Sequence, residues 1–269
     1  MSRGEETVAE TDIRFSDGAS YERAMGAWSR LAGDVFIDWL APRPGLRWVD
    51  IGCGNGAFTE LLIDRCAPAA VSGIDPSAAQ IAYARQRPAG RFAEFSEGNA
   101  MALPYQDESF DAATMALVIF FVPDPAKGVA EMARVVRRSG LIASYAWDVT
   151  DGGAPMEPIE AVMRRFGAPA PRPPSEMASR EDVLRDLWRG AGLEAIETRV
   201  IAVERRFADF EEYWASCLAG ARVGPVVAKM PPAQVDAVKA ALRELLTFDA
   251  AGRVTVVGRA NAIKGRKPG

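Results

Sequence analysis

Residues 48–58, WVDIGCGNGAF, place three glycines at alternate positions directly after a short apolar run. Glycine loses more backbone freedom on folding than other residues, so repeated glycine marks a tight turn or a close approach to bare backbone. Strand, glycine turn and helix in that order form a nucleotide-binding element, because backbone N–H groups and a helix N-terminus lie open to a ligand. Gly52, Gly54 and Gly56 follow G-x-G-x-G spacing. The dinucleotide fingerprint is G-x-G-x-x-G, and no Gly-Lys-Ser/Thr follows to complete a phosphate loop. By itself the loop leaves its nucleotide open.

Outward from this loop, strands and helices alternate. Upstream, residues 19–40 carry Leu31, Val35, Phe36 and Trp39 at helical spacing, and APRPG ends that pattern. Strands are expected at 46–52, 70–77, 91–98, 110–121 and 140–148. Helices are expected between them at 57–67, at 77–87 with Ser77 as N-cap, and at 124–138 with Pro125 in the first turn. Beyond 148 come a short helix and a proline-rich loop, a helix at 179–193, a strand at 194–207, helices at 208–220 and 231–246, and a strand at 252–266. The pattern predicts an α/β fold, a doubly wound, Rossmann-like, mostly parallel seven-stranded sheet with helices on both faces and a helical cap. Residues 1–18 read as a mobile tail and 19–269 as a single domain. Within it, 19–40 would be a lid helix, 46–148 the cofactor-binding core, and 149–180 and 204–250 cap or substrate insertions.

Composition narrows the chemistry. Apolar residues make up 49% and charged residues 25% of the 269, with a net charge of −4, which speaks against a surface that wraps nucleic acid. No apolar stretch has the roughly 18 residues needed to span a bilayer. The polar first residues do not read as a signal peptide, so a cytoplasmic protein is expected. Cys53, Cys66 and Cys217 form no CxxC pair, and histidine is absent. A disulfide framework, a metal site and a Ser/His/Asp triad are therefore not expected.

Two further motifs sit at nucleotide-site spacing. Asp75 ends the second expected strand in GIDPS, where a carboxylate accepts hydrogen bonds from ribose hydroxyls or simply favours the start of the next helix. Downstream, residues 98–125 read GNAMALPYQDESFDAATMALVIFFVPDP. With VDIGCGNG and GIDPS, this segment resembles the class I S-adenosylmethionine-dependent methyltransferases across residues 46–148. It is most similar to the type 11 group that includes the ubiquinone/menaquinone-biosynthesis enzymes. YERAMGAWSR upstream also looks like the N-terminal helix of one subgroup.

The resemblance implies S-adenosylmethionine as cofactor and S-adenosylhomocysteine as product. It places Asp50, Gly52 and Gly54 beside the methionine part, Asp75 on the ribose hydroxyls and Pro76 against the adenine. Asn99 stands where the family usually has aspartate on the adenine amino group, and keeps a carbonyl acceptor without the charge. Ala100 would offer its N–H to the ring with Met101 beside it, the Leu117 carbonyl would receive the cofactor's amino group, and Arg30 is the candidate for its carboxylate. Phe120 and Phe121 replace histidines that relatives commonly carry, which makes the pocket mouth more apolar.

Methyl transfer needs alignment more than acid or base, so a chain without histidine suits it. Asp148, ending the fifth strand, is the candidate base by topology; as a loop residue it has an equally simple structural role. Tyr21, Met25, Trp28, Trp147, Met156, Phe207, Phe210, Tyr213 and Trp214 are the aromatic and methionine residues available to an acceptor, with Tyr21, Trp28, Trp147, Tyr213 and Trp214 foremost. They favour a small, fairly apolar molecule over a charged polymer. The [DN]-P-P-[YFW] signature of nucleic-acid amino methyltransferases is absent, so neither nucleic acid nor membrane is an expected partner. A cofactor-binding regulator without turnover and an NAD(P)-dependent oxidoreductase are the alternatives. The acceptor atom and oligomeric state are not encoded in these motifs.

Overall fold

The computed structural model describes residues 25–269. The expected tail at 1–18, residues 19–24 of the expected lid helix and Tyr21 with them lie outside the described residues.

The VDI run forms the centre of the sheet. Strand β1 (Arg47–Ile51) is buried from Trp48 onward, as a strand covered on both faces must be. It pairs in parallel with β2 (Ala70–Asp75) on one side and β4 (Phe110–Ala116) on the other, so that Asp50 lies opposite Gly73 and Thr114. With β3 (Ala93–Glu97), β5 (Val136–Trp147), β6 (Glu194–Phe207) and β7 (Val254–Arg266), the order is β3-β2-β1-β4-β5-β7-β6. β7 runs antiparallel between β5 and β6; the other described pairs are parallel. The chain reverses its direction of winding between β1 and β4, and open α/β sheets bind ligands at that switch point, beyond the strand C-termini.

Strand β5 begins earlier than its sequence suggests. Helix α4 (Pro125–Val135), capped by the Asp124 carboxylate on Lys127 N, ends at Val135, and Val136 pairs with Phe110 across an irregular register. Two consecutive β-branched valines explain the early switch from helix to strand.

The sheet divides the apolar interior. On one side lie α1 (Ala27–Leu40), α2 (Ala57–Cys66), α5 (Glu157–Arg165), α7 (Phe210–Leu218), α8 (Gly224–Val227) and α9 (Pro232–Leu245). On the other, α4 and α6 (Glu181–Gly190) bury Met132 and Trp188 against Met115 and Ile142. Helix α3 (Ala78–Ala84), with Ser77 Oγ accepting from Gln80 N, packs Ile81 and Ala84 near Phe95. Among the described residues no helix is long and apolar enough to cross a membrane.

Helix α1 buries Trp28, Ala32, Phe36 and Leu40, whereas Leu31 is exposed. Its approach to α2 is close: a Cβ on Gly33 would meet Leu61 at 2.7 Å. Trp28 stands edge-on to Trp147 at 6.3 Å and tilted against Phe207 at 6.5 Å. Trp28→Ala should therefore cost about 3–5 kcal/mol in chemical denaturation. Leu31→Ala on the outer side of the same helix should cost less than about 1 kcal/mol.

Candidate functional site

The turn after β1 folds back onto the end of β2. Gly52 N and Cys53 N both donate to the Ile74 carbonyl, at 2.7 and 3.0 Å, and Gly54 N donates to Asp75 Oδ2 at 3.0 Å. Gly52, Gly54 and Gly56 all have left-handed backbone, with φ of 72°, 52° and 83°. A Cβ at Gly52 would sit 2.5 Å from both Val118 methyls, whereas a Cβ at Gly54 would project into open space. That open space is the cavity itself.

Asp75 closes the turn from its other oxygen. Oδ1 accepts from Ser77 N at 2.9 Å, so one carboxylate joins the glycine loop to the start of α3. Burial raises its pKa, opposed by the two amide donors. Each oxygen retains acceptor capacity toward the cavity.

Asp50 is buried completely beneath the loop. Thr59 Oγ1 donates to its Oδ2 at 2.6 Å, the Thr114 hydroxyl lies against the same carboxylate, and Oδ1 is sealed from solvent. Burial, helped by the nearby Asp75 charge, raises its pKa to about 7 against the opposing Thr59 and Thr114 hydroxyls.

Leu117, just past β4, has a φ of 62°, strained for a branched side chain, with its N–H held by the Tyr145 carbonyl at 2.8 Å. Such outliers persist where surroundings enforce them and cluster at ligand sites. Across the cavity, Asn99 Oδ1 accepts from Met101 N at 2.8 Å, a tight turn that fixes the amide and leaves one lone pair on the oxygen.

These groups line one cavity of about 630 Å³. Asp50, Gly52, Gly54, Asp75, Pro76, Asn99, Ala100 and Leu117 are all in its wall, as the sequence motifs suggest. Phe58, Val118, Phe121, Val122 and Pro123 form an apolar section. Phe120, by contrast, is buried behind it.

Other expected contacts do not meet there. Arg30 is exposed and outside the lining; Ser29, one residue and roughly 100° earlier on the helix, faces the cavity instead. Met101 packs into the apolar layer with Ile51 and Leu103 rather than beside the cavity. Asp148 is not a base in the cleft: its Oδ2 accepts from Arg259 Nη2 at 2.7 Å and Nε at 3.1 Å, and its Oδ1 holds Asp151 N at 3.1 Å. Trp28, Trp147, Tyr213 and Trp214, with Met156, Phe207 and Phe210, belong to the buried core beneath α1 and α7, and none lines the cavity. Met25 is half-buried against the same core.

Sequence reasoning missed Ser29, Asn55, Ser77, Gln80 and Tyr145 as lining residues. For Ser29 a signal existed, because a polar residue beside Trp28, on the stripe of Ala32 and Phe36, is placed inward by helical phase. Tyr145 had none, since every β5 residue from Gly140 is buried on one face or the other.

Residues 49–144 match the family model described as a methyltransferase domain. The ubiquinone/menaquinone biosynthesis C-methyltransferase UbiE of Paracoccus denitrificans is 34% identical over 154 residues, 52% of this chain and 62% of that protein. The demethylmenaquinone methyltransferase of Desulfitobacterium hafniense is 36% identical over 113 residues, 40% of this chain and 45% of that protein. The chain therefore spans about half to three fifths of the length of these curated relatives. Among solved structures, the YcgJ protein from Bacillus subtilis is similar at a TM-score of 0.62 and 19% identity, covering 88% of this chain and 98% of that one, a likeness of fold.

The raised Asp50 acid has a consequence for folding. The native state holds its proton in a pH range where the unfolded chain has lost it, so the stability it contributes is full below about pH 4 and lost as pH rises through about 7. Asp50→Asn should match the wild type near pH 4 and exceed its unfolding free energy at pH 8, by up to about 4 kcal/mol. Urea titrations of both proteins across this range provide the comparison.

Proposed function

We propose that this chain, whose residues 49–144 belong to the type 11 group of class I S-adenosylmethionine-dependent methyltransferase domains, transfers a methyl group to a small, fairly apolar molecule and releases S-adenosylhomocysteine. One observation carries the reading. At the switch point of the sheet, Asp50 beneath the glycine loop, the bare face of Gly54, Asp75 and the strained Leu117 backbone converge on a single cavity.

In this reading the Leu117 carbonyl receives the amino group of the methionine part, Asp50 underlies that part, and Gly52 and Gly54 leave room for its chain. Asp75 takes the ribose hydroxyls, Pro76 and Ala100 flank the adenine, and Asn99 Oδ1 accepts from its amino group. S-adenosylmethionine supplies, when bound, a methyl carbon already activated by a sulfonium. The protein's part is to align the acceptor and exclude water, and such positioning supplies on the order of 7–11 kcal/mol without a base. Phe58, Phe121, Val122 and Pro123 make the apolar wall suited to that task. Both curated relatives are named for quinone methylation, which fits an acceptor of apolar character.

We place residues 25–40, 149–180 and 204–250 as cap elements of one domain with the core at 46–148. The free state of Cys53, Cys66 and Cys217 accords with a reducing compartment such as the cytoplasm.

Isothermal calorimetry with S-adenosylhomocysteine, S-adenosylmethionine and NAD is the direct test. The first two should bind one to one and NAD should not; NAD binding without the others would overturn the reading. Gly54→Ala should stay folded, at a cost of roughly 1–2 kcal/mol for its left-handed backbone, and lose cofactor binding because its methyl group enters the cavity. Asp75→Ala should weaken binding by roughly 1.5–3 kcal/mol. A panel of apolar hydroxylated, amino and carbon acceptors, scored by S-adenosylhomocysteine release, then tests turnover.

A further inference from the structure

Among the described residues the cavity lining ends at Tyr145, so neither 149–180 nor 204–250 contributes a side chain to it. These segments reach it through a strap. Residues 166–175, FGAPAPRPPS, run from the end of α5 to the back of the Phe121–Pro123 wall. Prolines at 169, 171, 173 and 174 fix φ at four of these positions, so the strap is a stiff spacer that passes on a displacement rather than absorbing it.

Both ends of the strap are pinned. At the cap end, Gln234 Nε2 in α9 donates to the Phe166 carbonyl at 2.9 Å. Arg222, in the turn between α7 and α8, donates from Nε to the Pro171 carbonyl at 2.7 Å and from Nη2 to the buried Glu160 at 3.0 Å. At the other end, Ser175 N donates to the Phe120 carbonyl at 3.0 Å and its hydroxyl to the Pro123 carbonyl at 3.3 Å. One residue thus spans the segment that presents Phe121 and Val122 to the cavity. Asn261 Nδ2, on β7, fixes the following turn through the Ser179 carbonyl at 2.9 Å.

The wall needs such a hold. It is built on the 3₁₀ helix Ile119–Phe121, whose bonds are Phe121 N to the Val118 carbonyl and Val122 N to the Ile119 carbonyl. Short 3₁₀ pieces have poor hydrogen-bond geometry, so an outside clamp weighs heavily on their placement. The glycine loop and Asp75 are held by their own bonds at the end of β2 and make none to the strap.

We propose that Ser175 is a positioning residue that holds the Phe121–Pro123 wall where the methyl acceptor lies against it, and that the proline strap makes this wall answer to the cap. The proposal rests on the methyltransferase reading of the cavity. It assigns the strap to the acceptor side and leaves cofactor binding independent of it.

Amide hydrogen exchange at Phe121 and Val122 reads the wall directly. Ser175→Ala should speed it about five-fold, while Ile142 and Ser144 in β5, which report global opening, stay within about two-fold of wild type. Ser175→Thr keeps the hydroxyl and should match the wild type. Arg222→Lys keeps a charge beside Glu160 but loses the Nε bond to Pro171, and should speed the same two amides about two-fold. Calorimetry should show S-adenosylhomocysteine affinity within about two-fold of wild type in all three variants. With the acceptor giving the fastest turnover in the panel above, Ser175→Ala should raise the acceptor KM about five-fold and leave the S-adenosylmethionine KM unchanged. A smaller folded fraction would lower kcat and move neither KM.

Unchanged exchange at Phe121 and Val122 in Ser175→Ala, or exchange faster by one factor throughout the sheet, overturns the proposal. So does an acceptor KM that does not move, or an S-adenosylhomocysteine affinity that falls with it; the cofactor assignment stands in each case. Arg222→Lys without effect on the wall overturns the part given to the cap. A wild-type protein that binds S-adenosylhomocysteine but turns over no panel member has no acceptor to position, and the proposal falls while the cofactor site remains. One that does not bind S-adenosylhomocysteine overturns the proposal and the underlying reading together.

Discussion

A single carbonyl, that of Ile74, accepts both Gly52 N–H and Cys53 N–H, and the cleft depends on that double acceptance. It bends the chain leaving β1 back over the end of β2, which brings Gly54 N within reach of the next residue's carboxylate, Asp75. Only residues that tolerate left-handed backbone can make the bend, and at Gly52 the Val118 methyl groups leave no room for a side chain. The loop is thus pinned from both neighbouring strands at the point where they diverge. Everything in the cavity is positioned relative to that fixed turn.

The charge pattern of the cavity follows from the same arrangement. Two carboxylates, Asp50 and Asp75, lie in its wall, and no lysine or arginine lines it among the described residues. A dinucleotide's pyrophosphate would have to sit beside these acids without a side-chain cation. A ligand bearing an ammonium group and hydroxyls meets them favourably. Burial accentuates the contrast, because both acids are held in surroundings that resist a lone negative charge.

Much of the architecture was legible in the sequence because its signals are local. Alternating apolar runs and amphipathic stretches mark β1 to β5, and left-handed turns demand glycine at 52, 54 and 56. The cofactor-side wall was readable for the same reason: Asp50 and Asp75 stand in the last two positions of β1 and β2, and Asn99 two residues past β3. The aromatic residues were not readable, since Trp28, Trp147 and Tyr213 carry the same pattern whether they pack on each other or on a ligand. Asp148 was misplaced because its partner, Arg259, is 111 residues away and visible only once β7 lies beside β5. Arg30 and Ser29 differ by one helical step, and chemistry favoured the arginine while geometry favours the serine.

The Asp75 carboxylate holds two backbone amides while also offering acceptors to the cavity. Ligand choice and loop integrity are therefore encoded in one side chain. A designer seeking to retarget the pocket to a phosphorylated ribose by replacing this acid would loosen the turn at the same stroke. Evolution faces the same coupling, so drift toward another nucleotide would have to rebuild the turn and the recognition together. The Phe121–Pro123 wall carries no such double duty, since the hydrogen bonds of the bend run among Gly52, Cys53, Gly54, Ile74, Asp75 and Ser77.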